Sequence, residues 1–591
     1  MSKDNLNSKQ ADSLNVYDKP NRELQPSEAT FSMKPMSLRG QKVSVKRSFR
    51  SILKGFSSPI NFHLGSFACA ILFLGSSFFS AWLLSLSFNK DAKTYCAFLS
   101  FLIIGFAIRY IKTTTGSLIY GFATGFFANI FIFSWIYDTV FGGTANNSLA
   151  IGALVGLSLI LTIPFIFFSL FAWQYKQKTF LYPFASACAW VAFEILSQLI
   201  AYKWIGFPWA VLGYTQYNNL ELIQISNILG VYGISFFIVF CSFSSSLVLS
   251  KGIQFKEKFL NILFIIIISV LFLGYGKKQL VANLGAENKL IKVAIVQPNT
   301  HEDMIEDKTL QVEQKLKDIV STLQNSQHLD FVVWPESTLF GYIEEGSLRD
   351  FMSQASISTQ SYQIAGGSSF VKEDSKKNQE ENESDIKEYV SAGLYRQGKL
   401  VGKHYKRKLV PFGEFLPFQK YLKDFYEQND ISSLTGTFVE GEDTDEVLVL
   451  QKEEETFFGT QICFESIFPI LWRLQAAKGA EFFVNMSNDG WFLNTAAPYQ
   501  HLRLNVFRAV ENNRPILRSA NSGLSAYINN FGKIEYQSNL NEDDIKFVDL
   551  VLPLNQNKTF YTKYGDIFGF LCLFLSFIFF YSCLDITQEN D

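Results

Sequence analysis

Three segments carry side chains whose types could do covalent chemistry. In Val332–Glu336 (VVWPE) an apolar run ends in a carboxylate. In His404–Glu414 (HYKRKLVPFGE) Lys406 precedes Glu414 by eight positions. In Thr460–Ser466 (TQICFES) a strand pattern hands over to a helix pattern at Cys463. A carboxylate at the end of a buried strand is costly unless it is paired or used. Cys463 stands apart from the other six cysteines: Cys69, Cys96, Cys188, Cys241, Cys572 and Cys583 all lie in strongly apolar runs, where cysteine behaves as a small hydrophobe. Cys463 has no cysteine partner in its own segment, so no disulfide framework accounts for it. Taken singly, each segment has an ordinary alternative: a solvated strand-end Glu, a solvent-facing basic cluster, a packed cysteine.

The elements that must position these side chains lie within about 286–555, where strand and helix patterns alternate. Strands are expected at Lys292–Gln297, Asp330–Glu336, Gln363–Gly367, Tyr389–Tyr395, Thr456–Cys463, Glu481–Ser487 and Pro515–Ala520, and helices at 303–324, 466–478 and 498–513. Near-continuous apolar strands interleaved with helices imply an α/β domain whose sheets are covered on both faces. Lys372–Glu388 (KEDSKKNQEENESDIKE) interrupts it as a charged, low-complexity insertion, expected to be a disordered surface loop.

The remainder is strongly apolar. Of 591 residues, 48% are hydrophobic, only 18% are charged and 60 are Phe, against about a quarter charged in a soluble globular chain. That excludes a wholly disordered or disulfide-stapled chain and implies a membrane domain. Apolar runs near 65–88, 96–111, 116–137, 148–173, 180–201, 229–250, 259–276 and 566–584 give about eight spans. The expected organisation is a polar, basic cytoplasmic tail (1–58), a membrane domain (59–280), the α/β domain (286–555) and a closing transmembrane helix (562–585). The tail stretch Lys34–Lys54 carries seven Lys/Arg and the connections on its side seven more, against five on the other side, which turns the α/β domain outward, to the periplasm of a bacterium. A net charge of −2 gives no reason to expect nucleic acid. Five histidines without an H-E-x-x-H or a paired C-x-x-C pattern give none to expect a metal.

Together and in this order, Glu336, Lys406 and Cys463 in their local contexts resemble the nitrilase, or carbon–nitrogen hydrolase, superfamily. That implies an αββα sandwich and a Glu-Lys-Cys triad. With spans on both sides, the chain is similar to the apolipoprotein N-acyltransferase family. The likeness extends to Leu409–Glu414 (LVPFGE), Ser487–Phe492 (SNDGWF), the run through Arg508, Glu511 and Arg514 to Arg518–Gly523 (RSANSG), Gly206–Trp209 (GFPW) and Leu212–Tyr214 (LGY). It covers nearly everything from about residue 60 onward except the insertion. Phe464 stands where Tyr is common in the family, no Trp occurs between His301 and Asp307, and Lys406 has the basic neighbours Arg407 and Lys408.

The resemblance implies an enzyme of the bacterial inner membrane that works without a cofactor. It would move an acyl chain from a membrane phospholipid, through a Cys463 thioester, to the α-amino group of the S-diacylglyceryl-cysteine that begins an apolipoprotein. Glu336 would be the general base. Lys406 and the start of the helix after Cys463 would favour a thiolate, and Lys406 with the Phe464 N–H would hold the oxyanion. Glu414 would orient Lys406 or relay a proton, with a structural salt bridge as the alternative; Glu465 would be a helix first-turn acid. Phe412, Phe415, Leu416 and Trp491 are expected to meet substrate, the loop Phe412–Phe418 acting as a lid or chute, with a buried loop core as the alternative. Trp204 and Trp209 are expected at the membrane interface. A membrane-tethered amidase would share the triad and differ only in its acceptor; a transporter with a degenerate sensor domain would have no need of an intact one.

Overall fold

A long apolar run has one stable option in a bilayer, the helix, because every backbone N–H and C=O must find its partner inside the segment. In the computed structural model, which describes residues 64–282, 288–300, 303–372, 386–428, 436–442, 446–452, 454–553 and 557–586, each expected run contains a helix. They are Leu64–Leu86, Tyr95–Tyr110, Thr114–Ile132, Asn147–Tyr175, Leu181–Lys203, Val231–Leu249, Phe255–Ala282 and Ile567–Ile586. Five of these eight meet the length and apolarity needed to cross a membrane; the first, second and last are shorter apolar helices over their described side chains. The expected count of about eight spans is therefore not exact. Tyr95–Tyr110 shows why: its 16 residues rise roughly 24 Å, short of a hydrocarbon core of about 30 Å. The run 116–137 is also broken, ending as a helix at Ile132 and resuming as Trp135–Thr144. The tail 1–58 lies outside the described residues.

The α/β part contains two six-stranded sheets. One runs in the order β12 (Asp544–Pro553), β1 (Asn288–Gln297), β2 (Phe331–Val333), β3 (Tyr362–Lys372), β4 (Ile386–Arg396), β5 (Lys399–Tyr405). The other runs β11 (Ile534–Gln537), β10 (Ala526–Ile528), β9 (Ile516–Ala520), β8 (Phe482–Ser487), β7 (Thr456–Ile462), β6 (Leu448–Leu450). β1, β2 and β3 are mutually parallel, as are β7, β8 and β9, and the outer strands add antiparallel. The period-2 alternation of side chains builds the layers. Ile291, Val293 and Ile295 of β1 meet Phe482, Val484 and Met486 of β8 in the core between the sheets. Ala294 and Val296 face the other way, onto Val312, Leu316 and Leu323 of the helix Asp303–Gln324. This is the αββα sandwich.

Seven strands and three helices fall where the sequence places them. The helix Gly346–Ser358 and the strands β5, β6, β10, β11 and β12 were not expected; they are short, or half-exposed edge strands without a continuous apolar run. The insertion is also narrower than expected. β3 and β4 pair out to Lys372↔Ile386, because ladder hydrogen bonds are made by backbone and continue through charged side chains. Residues 373–385 lie outside the described residues.

The helix Ala497–Asn512 joins the two halves. Fifteen of its 16 residues are buried, among them Gln500, His501, Arg503, Asn505, Arg508 and Glu511. It packs between the second sheet and the membrane helices, so polar groups on its outward face are enclosed and must find partners. Gln500 accepts from the indole N–H groups of Trp135 (3.2 Å) and Trp209 (2.9 Å) and donates to the carbonyls of Phe88 and Ile132. Glu511 pairs with Arg508 (2.8 Å) and accepts the backbone N–H of Val231 (3.0 Å), at the start of the membrane helix Val231–Leu249. Trp209 is consequently buried, not at the membrane surface as expected, whereas Trp204 is 79% exposed. Glu194 is held by Trp190 Nε1 and the Leu212 N–H, both at 2.8 Å.

Replacing Glu511 by Leu should strip the Val231 N–H of its acceptor and leave the fully buried Arg508 unpaired, at a cost of about 3–5 kcal/mol. Detergent-solubilised protein should then unfold at clearly lower denaturant or temperature. Glu511→Gln, which keeps a carbonyl acceptor, should be the milder change.

Candidate active site

Glu336 follows the end of β2. The chain there is held beside β3 by Trp334 N–H to the Ile364 carbonyl (2.9 Å) and Gly366 N–H to the Pro335 carbonyl (3.2 Å). A Cβ on Gly366 would come within 2.7 Å of Glu336 Cα, so only glycine allows β3 this close. Lys406 follows the end of β5, pinned by its N–H to Val390 (2.8 Å) and by the Gly441 N–H on its carbonyl (2.8 Å). Its ammonium is fully buried and donates to Glu336 Oε1 at 3.1 Å and Glu414 Oε1 at 2.5 Å. The other oxygen of each carboxylate is also engaged. Glu336 Oε2 accepts the Asn488 N–H (3.0 Å), and Glu414 Oε2 accepts the Val410 N–H (2.8 Å) in its own turn. Glu414 therefore orients Lys406 directly.

Cys463 begins where β7 stops, and its φ is +48°. A non-glycine residue in that region costs about 1–3 kcal/mol and persists only when its surroundings impose it; a sharp strand-to-helix turn of this kind presents a nucleophile above the sheet. The sequence leads one to expect a helix directly after Cys463. Instead a five-residue 3₁₀ turn, Cys463–Ile467, comes first and the α-helix starts at Pro469, so the thiol does not sit on an α-helix terminus.

Charge at the site also departs from expectation. Burial, then Glu336, Asp489 and Glu414, push the Cys463 thiol well above its ordinary value, and Lys406 only partly offsets them. For Lys406, burial alone would lower the value, but Glu336 and Glu414 outweigh it and hold the ammonium firmly protonated. Burial and the neighbouring Glu336 raise the Glu414 carboxyl against the pull of Lys406. Burial, with two carboxylates around one ammonium, thus works against the thiolate form that the sequence leads one to expect.

Glu465 has a larger part than a first-turn acid. Fully buried, it accepts the N–H groups of Arg407 and Ile462, each at 2.7 Å, and so ties the residue after Lys406 to the residue before Cys463. Burial would raise its carboxyl, but His404 above all, then the Arg407 charge and the Ile462 N–H, hold it below the usual range. Phe464 turns away from the triad, stacking on Phe207 of the membrane half (5.9 Å between centroids). Of the four residues expected to meet substrate, Phe412 (54%) and Trp491 (52%) are exposed. Phe415 and Leu416 are half-buried, Phe415 against the core between the sheets. The second exposed tip of that loop is Phe418, and both it and Phe412 have positive φ.

A further buried cluster escaped the sequence reading. Asp489 Oδ2 accepts from Arg518 (2.7 Å), and Asp489 Oδ1 lies 3.0 Å from His501 Nδ1. His501 Nε2 in turn lies 3.0 Å from the carbonyl oxygen of Cys463. Arg518 also bonds Asn485. Burial is opposed above all by Arg518, which holds the Asp489 carboxyl far below the ordinary range. Asp489 and Arg518 lie in two of the quoted motifs, yet nothing in the sequence pairs residues on three separate elements. His501 touches the Cys463 carbonyl, not its sulfur, so the arrangement is not a Cys–His dyad. Among the described residues, no group of His, Cys, Asp and Glu side chains is arranged to hold a metal.

Comparisons with known proteins agree with this architecture. Residues 292–557 match the carbon–nitrogen hydrolase family model, and residues 80–244 match that of the apolipoprotein N-acyltransferase N-terminal domain. The chain is 31% identical over 379 residues to the apolipoprotein N-acyltransferase of Geobacter metallireducens (62% of this chain, 68% of the relative). It is 31% identical over 429 residues to that of Rickettsia bellii (72% and 81%). Among solved structures, a branch 10 nitrilase-superfamily member from Saccharomyces cerevisiae aligns at 21% identity with a TM-score of 0.32, covering 44% of this chain and 90% of its own.

Glu465→Gln should leave one of the two backbone N–H groups without an acceptor, since the new amide nitrogen can only donate. The cost should be about 1–3 kcal/mol, read as a lower unfolding midpoint. Reaction of Cys463 with an activated acyl ester should slow in parallel, because Lys406 and Cys463 lose their shared anchor.

Proposed function

The chain belongs to the apolipoprotein N-acyltransferase family, whose members are membrane acyltransferases with a nitrilase-like domain acting in lipoprotein N-acylation, and from that premise we propose that it carries the acyl group as a thioester on Cys463. The donor is a membrane phospholipid. The acceptor is the α-amino group of an S-diacylglyceryl-cysteine at the start of an apolipoprotein. One observation carries this reading: a fully buried Lys406 clasped by Glu336 and Glu414, beside a cysteine held at positive φ.

Glu336 takes the proton of the Cys463 thiol as Sγ attacks the ester carbonyl. The oxyanion is held by Lys406 Nζ and the Phe464 N–H. Collapse breaks the ester C–O bond, and the departing lysolipid oxygen takes the proton from Glu336. The neutral amine then attacks the thioester, Glu336 accepts a proton from the nitrogen, and collapse breaks the C–S bond. The sulfur recovers that proton as the amide forms. Water would complete the same cycle in an amidase; a large membrane domain around the site favours a lipid-borne acceptor over a soluble amide substrate.

The division into a cytoplasmic tail (1–58), a membrane domain (59–280), a periplasmic catalytic domain (286–555) and a closing span (562–585) of the inner membrane belongs to the same proposal. It is supported by the excess of basic residues on the side of the tail.

Purified protein incubated with phospholipid should gain the mass of one acyl chain on Cys463 and lose it when a diacyl-lipopeptide is added. Turnover persisting in Cys463→Ala would overturn the thioester. In Glu336→Gln the acylation rate should be low at pH 7 and climb with pH past the ordinary thiol value of about 8.5. The environment that raises the Cys463 thiol should prevent a plateau there. Lys406→Met, lacking the oxyanion donor, should not recover with pH.

The apolar loop should matter for lipid and not for chemistry. A phospholipid leaves the bilayer at a cost of about 0.8 kcal/mol per exposed CH₂, and Phe412 and Phe418 are the exposed tips that could screen the chain. Changing both to Ser should slow acylation by phospholipid at least about tenfold, the effect of some two unscreened CH₂ groups. A short water-soluble activated ester should acylate Cys463 at a near-normal rate. Equal loss with both donors would make the loop a support of the triad.

A further inference from the structure

His501 is fully buried on the helix that joins the two halves, and the steps above make no use of it. Its Nε2 lies 3.0 Å from the carbonyl oxygen of Cys463. A carbonyl oxygen can only accept, so Nε2 carries the hydrogen whether the ring is neutral or protonated. The other nitrogen lies 3.0 Å from Asp489 Oδ1 and 3.2 Å from Arg518: bare, it accepts from the guanidinium, and protonated, it donates to the carboxylate. Asp489 is itself fixed by Arg518 and by the Ser487 hydroxyl (2.6 Å), and the imidazole packs on the Trp209 ring, 5.2 Å between centroids. The ring has no freedom to turn, and its N–H points at one atom.

That atom belongs to the Cys463–Phe464 peptide. In a trans peptide the C=O and the N–H lie in one plane and point in opposite directions, so fixing the carbonyl oxygen fixes the direction of the Phe464 N–H. This amide is at the start of the 3₁₀ turn, where N–H groups have no partner within the turn. The turn is short and its first residue sits at an unfavourable φ of +48°, so local backbone preference does not hold the peptide in place. A hydrogen bond to the carbonyl also polarises the amide and strengthens its N–H as a donor.

We propose that His501, braced by Asp489 and Arg518, is the positioning residue that aims the Phe464 N–H at the acyl oxygen on Cys463. This rests on the thioester reading above. It makes Arg518, Asp489 and His501 a support for half of the oxyanion site, with Lys406 supplying the other half independently. It also places the support on the helix that docks the membrane half, one residue from Gln500 and in contact with Trp209.

The carbonyl stretch of the acyl-enzyme reports the hydrogen bonds on its oxygen. Full-length protein in detergent, acylated on Cys463 with a ¹³C-carbonyl activated ester, should show a thioester band at lower frequency than the same thioester free in solution. In His501→Phe the band should move up toward the free value, and aminolysis by a diacyl-lipopeptide should fall roughly tenfold to a hundredfold in kcat with KM little changed. That is less than the 10²–10³ typical of losing a donor outright. His501→Gln places an amide N–H near the former Nε2 and should restore most of the band position and rate; it also serves as the readout if the Phe variant does not fold. A band unmoved in His501→Phe, or displaced in a folded His501→Gln as far as in the Phe variant, would overturn the proposal and leave His501 a packing residue of the docking helix. Absence of any acyl adduct in the unmodified protein would instead bring down the thioester reading itself.

Discussion

An ammonium group with no exposure to solvent cannot stand alone, and the burial of Lys406 is the constraint around which the catalytic half is organised. Two carboxylates from different segments meet it: Glu336 from the end of β2 and Glu414 from the turn after β5. Each spends its second oxygen on a backbone N–H. The charge is thus paired, and the pairs are fixed to main chain, which is the arrangement that makes a buried ion cluster tolerable. The same arrangement leaves an excess of negative charge. Burial first, and then that excess, push the Cys463 thiol above its ordinary value.

The strain at Cys463 is held by the same logic. A residue at positive φ stays there only when its neighbours over-determine it. Glu465 binds the N–H of Ile462 on one side of it and of Arg407 in the lysine segment, and His501 meets the carbonyl on its other side. Each of these is a buried polar group with a partner, so hydrogen bonds link Cys463, the lysine segment and the docking helix.

That docking helix is where the two halves become one enzyme. Gln500, Arg503 and Glu511 reach backbone or indole groups of the membrane half, in its helices and in the turn after the first one. Here a fully enclosed face carries Arg, Glu, Gln and His, and each has a hydrogen-bond partner across or within the interface. Phe464, stacked on Phe207, seals the contact where the family commonly has a Tyr, so this position serves packing in the present chain.

Much of this was legible in the residues. Apolar runs of spanning length had to be helices, since a bilayer offers the backbone no other partners. The strands around Val293, Val332 and Val484 had to be buried on both faces, since they carry no polar side to expose. Glu336, Lys406 and Cys463 stood out together, because their order and local contexts resemble the nitrilase superfamily, while each alone has an ordinary reading. What the linear chain could not decide depends on groups brought together from far apart. Trp209 is apolar with a polar edge, equally suited to a membrane surface or a sealed interior; only the arrival of Gln500 buries it. Phe412, Phe415, Leu416 and Phe418 look alike in sequence, and the turn bonded through Glu414 and Val410 selects which of them point outward. The upward push on the Cys463 thiol comes from its burial and then from charges on several segments, and no single segment contains them all. Asp489, His501 and Arg518 are ordinary polar residues until folding removes the water between them. Sequence alone determined the elements and the reactive groups, because these follow from local periodicity and intrinsic chemistry. Tertiary structure alone decided their charge states and partners, because those depend on which distant groups share one water-poor space.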